Sequence, residues 1–104
     1  MDNSKLMKII IDSLKENSNK YSGLYLYGSR AKNSENELSD YDIIYLTDKK
    51  PDSEVKYQIY KIIGRLEGKL NIFIDIQILT KDEFLKNPFF YEEVTKYGKF
   101  YAVW

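Results

Sequence analysis

The sequence predicts an α+β fold with α/β-like alternation, helices and strands taking turns around a mixed β-sheet. Two observations carry that prediction. Apolar residues recur at helical spacing in two stretches, first Leu6, Ile9, Ile10 and Leu14, then Val55, Ile59, Ile62, Ile63 and Leu66. Between and after them lie short apolar runs, "GLYLYG", "YDIIYL" and "NIFIDIQIL", bounded by polar or turn-forming residues, as strands are.

Each element has its own local justification. The first helix can be capped by Asp2, Asn3 or Ser4 and stops at the polar "KENSNK". "GLYLYG" reads as a buried strand ending at Gly28, and "YDIIYL" as a second strand closed by the turn-like "TDKKPDS". A helix from Ser53 to about Leu70 follows Pro51, with Asp52 or Ser53 as its cap. In "NIFIDIQIL", Ile72, Ile74, Ile76 and Ile78 point to one side and Phe73, Asp75 and Gln77 to the other. A short helix at "TKDEFLKN", helical turns around Phe90 and Val94 ended by Gly98, and an apolar "KFYAVW" edge strand complete the pattern.

Composition narrows the chemistry. At 104 residues with 43% hydrophobic content, residues 1–104 make one core and are read as a single domain. Sixteen basic and sixteen acidic residues cancel, and no aromatic–basic stripe is evident, so no direct nucleic-acid binding is expected. Cysteine and histidine are both absent, which excludes disulfides, thiolate nucleophiles, Cys/His zinc sites and imidazole bases. No stretch has the character of a signal peptide or the length to span a bilayer, so a cytoplasmic protein without membrane contact is expected.

The chemistry left to the chain is that of carboxylates and phosphates. Asp40 and Asp42, one residue apart at the entrance of a strand, face the same way and repel unless a cation lies between them. Hard oxygen ligands without His or Cys suit Mg²⁺, which completes its shell with water and substrate phosphates. Asp75 interrupts an isoleucine-rich strand, a costly place for an acid that is neither paired nor metal-bound. Gly28 lets backbone approach a ligand, and the Ser29 hydroxyl offers a donor to phosphate oxygens. Arg30 or Lys32 could add positive charge, or could be solvated side chains. Three carboxylates for two metal ions, with a donor-rich turn for a triphosphate, describe a two-metal phosphoryl or nucleotidyl transfer site.

Ten residues separate Gly28-Ser29 from Asp40-Tyr41-Asp42, and "GSRAKN…SDYDI" with that spacing resembles the DNA polymerase β-like nucleotidyltransferase superfamily. The closest resemblance is to its minimal branch, the MNT proteins, which pair as MntA-type antitoxins with HEPN toxins. The later acid of that pattern matches Asp75 in "IDIQI", and "EEVTKYGKFY" is similar to the family's closing helix, glycine-lysine turn and tyrosine. Asn33 stands where the family usually has glycine, and Asn is the residue that best replaces glycine in a left-handed turn.

The resemblance implies a truncated nucleotidyltransferase palm with helices mainly on one face of the sheet. It implies that Asp40, Asp42 and Asp75 are the catalytic, metal-holding residues for two Mg²⁺ ions. Gly28, Ser29 and Arg30 would bind a nucleoside triphosphate, with ATP as substrate. The implied partner is a HEPN-type helical toxin in a hetero-oligomer, neutralised by transfer of AMP to one of its tyrosines. Two other readings stand beside this one: a catalytically idle antitoxin that neutralises by binding alone, and a small-molecule (aminoglycoside-type) nucleotidyltransferase completed by a helical subunit. The aromatic residues of "NPFFYEE" and "KFYAVW" could anchor such an interface, although core and edge packing is the simpler account of any one of them. Lys69, just ahead of the Asp75 strand, either approaches phosphate or ends a helix, and Lys49 and Lys50 belong to a solvated turn.

Overall fold

The computed structural model describes residues 3–15, 21–28 and 40–102. In chain order the elements are α1 (Asn3–Lys15), β1 (Tyr21–Tyr27), β2 (Tyr41–Thr47), α2 (Ser53–Leu70), β3 (Ile74–Thr80), α3 (Lys81–Leu85), α4 (Pro88–Tyr97) and β4 (Lys99–Ala102). The alternation expected from the sequence is the alternation observed. The strands form one mixed sheet in the order β3-β2-β1-β4, with β2 and β3 parallel and the other two pairs antiparallel.

Strand alternation sorts side chains onto two faces. Leu24 and Leu26 of β1, Tyr41, Ile43 and Tyr45 of β2, and Ile74 and Ile76 of β3 form the main core with the apolar stripes of α1 and α2. Leu6, Met7, Ile10 and Leu14 bring the α1 stripe to that core; Ile59, Ile63 and Leu66 bring that of α2. On the other face Ile44 and Leu46 pack with Phe84 of α3 and Val94 of α4, joined by Tyr25, Tyr27, Leu79 and Phe90. The two long helices thus lie on one face, as expected, and the short α3 and α4 add partial cover to the second.

Caps account for most element ends. Asp52 caps α2, its Oδ1 accepting from the Val55 N–H at 2.9 Å. Thr80 and Glu83 form a reciprocal capping box on α3, and Asn87 caps α4 ahead of Pro88. One boundary differs from expectation, whereas Gly98 ends α4 as expected. The third strand begins at Ile74, not Asn71, because Asn71 adopts a left-handed conformation (φ 55°, ψ 50°) that ends α2, and the Glu67 carboxylate accepts from the Ile74 N–H at 2.9 Å. Gly98 ends α4 in an extended conformation, so its need for glycine is spatial: a Cβ there would strike the Val94 carbonyl and press on that of Leu26. Among the described residues no helix is long and apolar enough to cross a membrane.

Candidate active site at the acidic end of the sheet

Asp42 and Asp75 meet because of register. Tyr41 and Ile43 point into the main core, which sends Asp42 to the opposite face; Ile74 and Ile76 do the same for Asp75. In the ladders Tyr27 of β1 pairs with Asp42 of β2, and Asp42 pairs with Asp75 of β3. Three polar side chains therefore stand in a row on the second face, across three neighbouring strands. Asp40 lies just outside β2 and is exposed, Asp42 is half-buried, and Asp75 is exposed on its edge strand.

Gly28 closes this row. Its φ of +74° lies in the left-handed region, where L side chains are strained, and a Cβ on it would collide with the Asp42 carboxylate. Glycine is thus required here by its conformation, and a side chain would in addition turn the Asp42 carboxylate aside. Ser29, Arg30, Lys32 and Asn33, also singled out in the sequence, lie outside the described residues, as does Trp104.

The electrostatics of the row are one-sided. Burial pushes the Asp42 carboxyl above the usual carboxylate value, and the charges of Asp75 and then Asp40 push it further in the same direction. Burial raises the Tyr27 phenol too, with Asp42 and Asp75 adding to the effect and a hydrogen bond from Gln77 opposing it, so the phenol stays protonated at neutral pH. Such an anionic group of oxygen ligands, without nitrogen or sulfur donors, fits a hard divalent cation such as Mg²⁺. Among the described residues no three acids converge into a set that could hold a metal ion. Asp42 and Asp75 are adjacent, whereas Asp40 sits beyond the end of the strand, and mutual repulsion opposes closer approach.

Two residues of this row have no function in the sequence reading. Gln77 Nε2 donates to the Tyr27 hydroxyl oxygen at 3.0 Å, and Phe90 of α4 meets the Tyr27 ring edge-on, centroids 5.6 Å apart at 89°. The period-2 pattern already puts Gln77 on the face of Asp75; the arrival of Tyr27 beside both depends on strand pairing. Lys69 is exposed in the last turn of α2, the helix that packs on the opposite face, so the structure does not bring it to the acids.

A small mixed sheet of this topology, with its glycine turn and facing acids at one end, defines the nucleotidyltransferase palm class. The chain belongs to the polymerase β nucleotidyltransferase family, whose model matches residues 8–100. No curated protein sequence matches it. Among solved structures the chain is similar to a toxin-antitoxin with AMP-PNP, at 23% identity and TM-score 0.66, over 94% of this chain and 72% of that one. It is also similar to a mutant of the toxin-antitoxin MntA-HpeT, at 20% identity and TM-score 0.64, over 94% and 72% of the two chains. A third similar structure is a tri-AMPylated Shewanella oneidensis HEPN toxin in complex with MNT antitoxin, at 21% identity and TM-score 0.54, over 94% and 68%. At these identities the likeness establishes the fold.

Proposed function

We propose that residues 1–104 act as one minimal nucleotidyltransferase domain that moves AMP from ATP to a tyrosine hydroxyl of a HEPN-type toxin, and that this transfer makes the protein an antitoxin in a cytoplasmic hetero-oligomer. The observation that carries the proposal is the register of Asp42 with Asp75 beside the Cβ-free turn at Gly28. Family membership supports the reaction class, and the AMP-PNP and tri-AMPylated complexes among the similar structures support the nucleotide and the acceptor.

In this reading Mg²⁺ would be held by Asp42 and Asp75, which are register partners, with Asp40 at the strand entrance turning in to complete the set, and it would neutralise charge on the triphosphate and on the departing pyrophosphate. Gly28 leaves room for phosphate against the backbone, while Ser29 and Arg30 donate to phosphate oxygens. Asp75 accepts the proton of the attacking hydroxyl. The new bond joins that oxygen to the α-phosphorus, and the bond from α-phosphorus to the β-phosphate bridge breaks. Support for a protein acceptor comes from apolar side chains left open around α3, α4 and β4: Phe89 is 84% exposed, Leu85 57% and Phe100 48%.

The test is to capture the tagged protein with whatever it binds in its own cell extract, add Mg²⁺ and each nucleoside triphosphate, and weigh the captured chains intact. Gain of one or more AMP groups on a helical partner, lost with Asp42→Ala, is the expected result. A partner that binds and inhibits without gaining mass would favour occlusion, and transfer only to small amines or hydroxyls would favour a small-molecule enzyme.

A further inference from the structure

The two edges of the sheet are finished differently. At β3 the Tyr41 N–H donates to the Phe73 carbonyl at 2.9 Å, so the next N–H, that of Ile74, faces outward, where the Glu67 carboxylate accepts it at 2.9 Å. The exposed Asp75 and Gln77 add polar side chains to that edge. At β4 such protection is missing. Among the described residues β4 pairs with β1 alone, without proline or bulge, and its Phe100 ring, seated over Gly23, stays half exposed. A groove of about 460 Å³ follows this edge, with Phe100 and Tyr101 on the strand and Lys8, Ile11 and Asp12 on α1 among its walls. Phe100 and Tyr101 project to opposite faces, so the groove reaches around the edge from one face to the other.

We propose that this edge is a self-association surface whose occupant is β4 of a second copy, paired antiparallel about a two-fold axis. In an antiparallel pair opposite residues project to the same face, and a two-fold axis perpendicular to the sheet keeps each face on its own side. Phe100 on that axis meets its own copy, a cross-strand aromatic pair on the second face, and Lys99 meets Tyr101 of the second copy on the main face. The helix layer fits the same axis. On the main face α1 lies on the β4 side and α2 on the β3 side, so each helix spans about two strands. Strands about 4.8 Å apart and packed helices about 8–10 Å apart then bring the two α1 helices side by side, antiparallel, across the axis. The α1 residues of the groove are centred near Ile10, so Lys8 of each copy faces Asp12 of the other. The opposite charges complement each other twice. The proposal is independent of the acceptor reading, because Asp42 and Asp75 lie on β2 and β3, away from the axis, and stay open in both copies.

The test is sedimentation equilibrium of the purified full chain over a concentration series. The expected mass rises with concentration from that of one chain to that of two and stops there. Lys8→Asp and Asp12→Lys, both on the exposed side of α1, should each weaken the dimer about tenfold, because the two-fold axis turns two attractive pairs into two repulsive ones. Lys8→Asp combined with Asp12→Lys restores the attraction and should return the dimer to wild-type affinity. Phe100→Ser should weaken it as well, and the charge variants keep the test open where that core-edge change harms folding. A chain that sediments as one copy at every concentration would overturn the proposal and leave the edge to a different protein. A dimer indifferent to both charge reversals, a double reversal that fails to restore it, or growth beyond two copies would also overturn it.

Discussion

Replacing Asp42 with Asn should make the protein more stable while abolishing nucleotidyl transfer. Asn is nearly the same shape and removes one charge from the row in which Asp42 stands opposite Asp75. Burial, Asp75 and Asp40 all raise the Asp42 carboxyl above its ordinary value of 3.8. The sign follows from linkage. A carboxyl whose folded pKa exceeds its unfolded pKa binds more protons when folded, so stability falls as pH rises from the unfolded value through the folded one. Above that window the penalty is complete, and at neutral pH the wild type carries all of it.

The magnitude is modest because the site is open to water. Like charges directly opposite on neighbouring strands cost roughly 0.2–1 kcal/mol, and a half-buried pair belongs near the middle, about 0.5 kcal/mol. For a domain of this size that is a rise of about 2–4 °C in melting temperature. The assay is thermal melting by circular dichroism without divalent ions, from pH 7 down toward about 3.8, the ordinary carboxyl value. The gain of Asp42→Asn should shrink along that series as the wild-type carboxyl takes up its own proton. Adding Mg²⁺ should then stabilise the wild type and leave the variant unmoved. A variant that melts below the wild type at pH 7, or a gain that persists undiminished at the acid end, would refute the electrostatic account of the site.

Two further perturbations act on the backbone around the acids. Gly28→Ala should destabilise by about 1–2 kcal/mol through its left-handed φ alone, read as a lower urea midpoint, and should also reduce transfer because its Cβ displaces the Asp42 carboxylate. Glu67→Ala removes the acceptor of the Ile74 N–H at the start of β3 and should cost about 1–2 kcal/mol, with faster amide exchange at Ile74 and Asp75 as the local signature.

Local periodicity carried much of the fold. The run of alternate isoleucines from Ile72 identifies both the strand and the face that Asp75 and Gln77 share, and Ile59, Ile63 and Leu66 identify the buried stripe of α2. Where local pattern misled, a tertiary contact had decided. Asn71, Ile72 and Phe73 read as strand, yet the left-handed cap at Asn71 and the hold of Glu67 on Ile74 delay the strand until the chain has turned back to the sheet. The pairing of Tyr27 with Asp42 is of another kind. Register between β1 and β2 is fixed by which residues each strand buries against α1 and α2, so no short window of sequence contains it. The DxD spacing marked Asp40 and Asp42, whereas Tyr27 and its partner Gln77 became visible only once three strands were aligned.

The same alignment explains why the acids lie where they do. On the second face, Ile44, Leu46 and Leu79 are covered with Phe84, Phe90 and Val94, and one step along β2 from Ile44 stands Asp42. Under the apolar cover a carboxylate would have to give up its water, at a cost that no cation among the described residues of this row offsets; just past it, Asp42 stays half in solvent. Tyr27 marks the edge, with its ring packed against Phe90 of α4 and its hydroxyl bonded to Gln77. A ring satisfied by the core and an oxygen satisfied by polar partners need opposite surroundings, and an edge supplies both. Helix α4 therefore does two things with one contact: it completes the second cluster and sets the line at which burial stops. Extending that cover over Asp42 would add apolar contact and would also drive the carboxyl toward its neutral, non-ligating form, so the charged chemistry proposed here requires that the cover end at Tyr27.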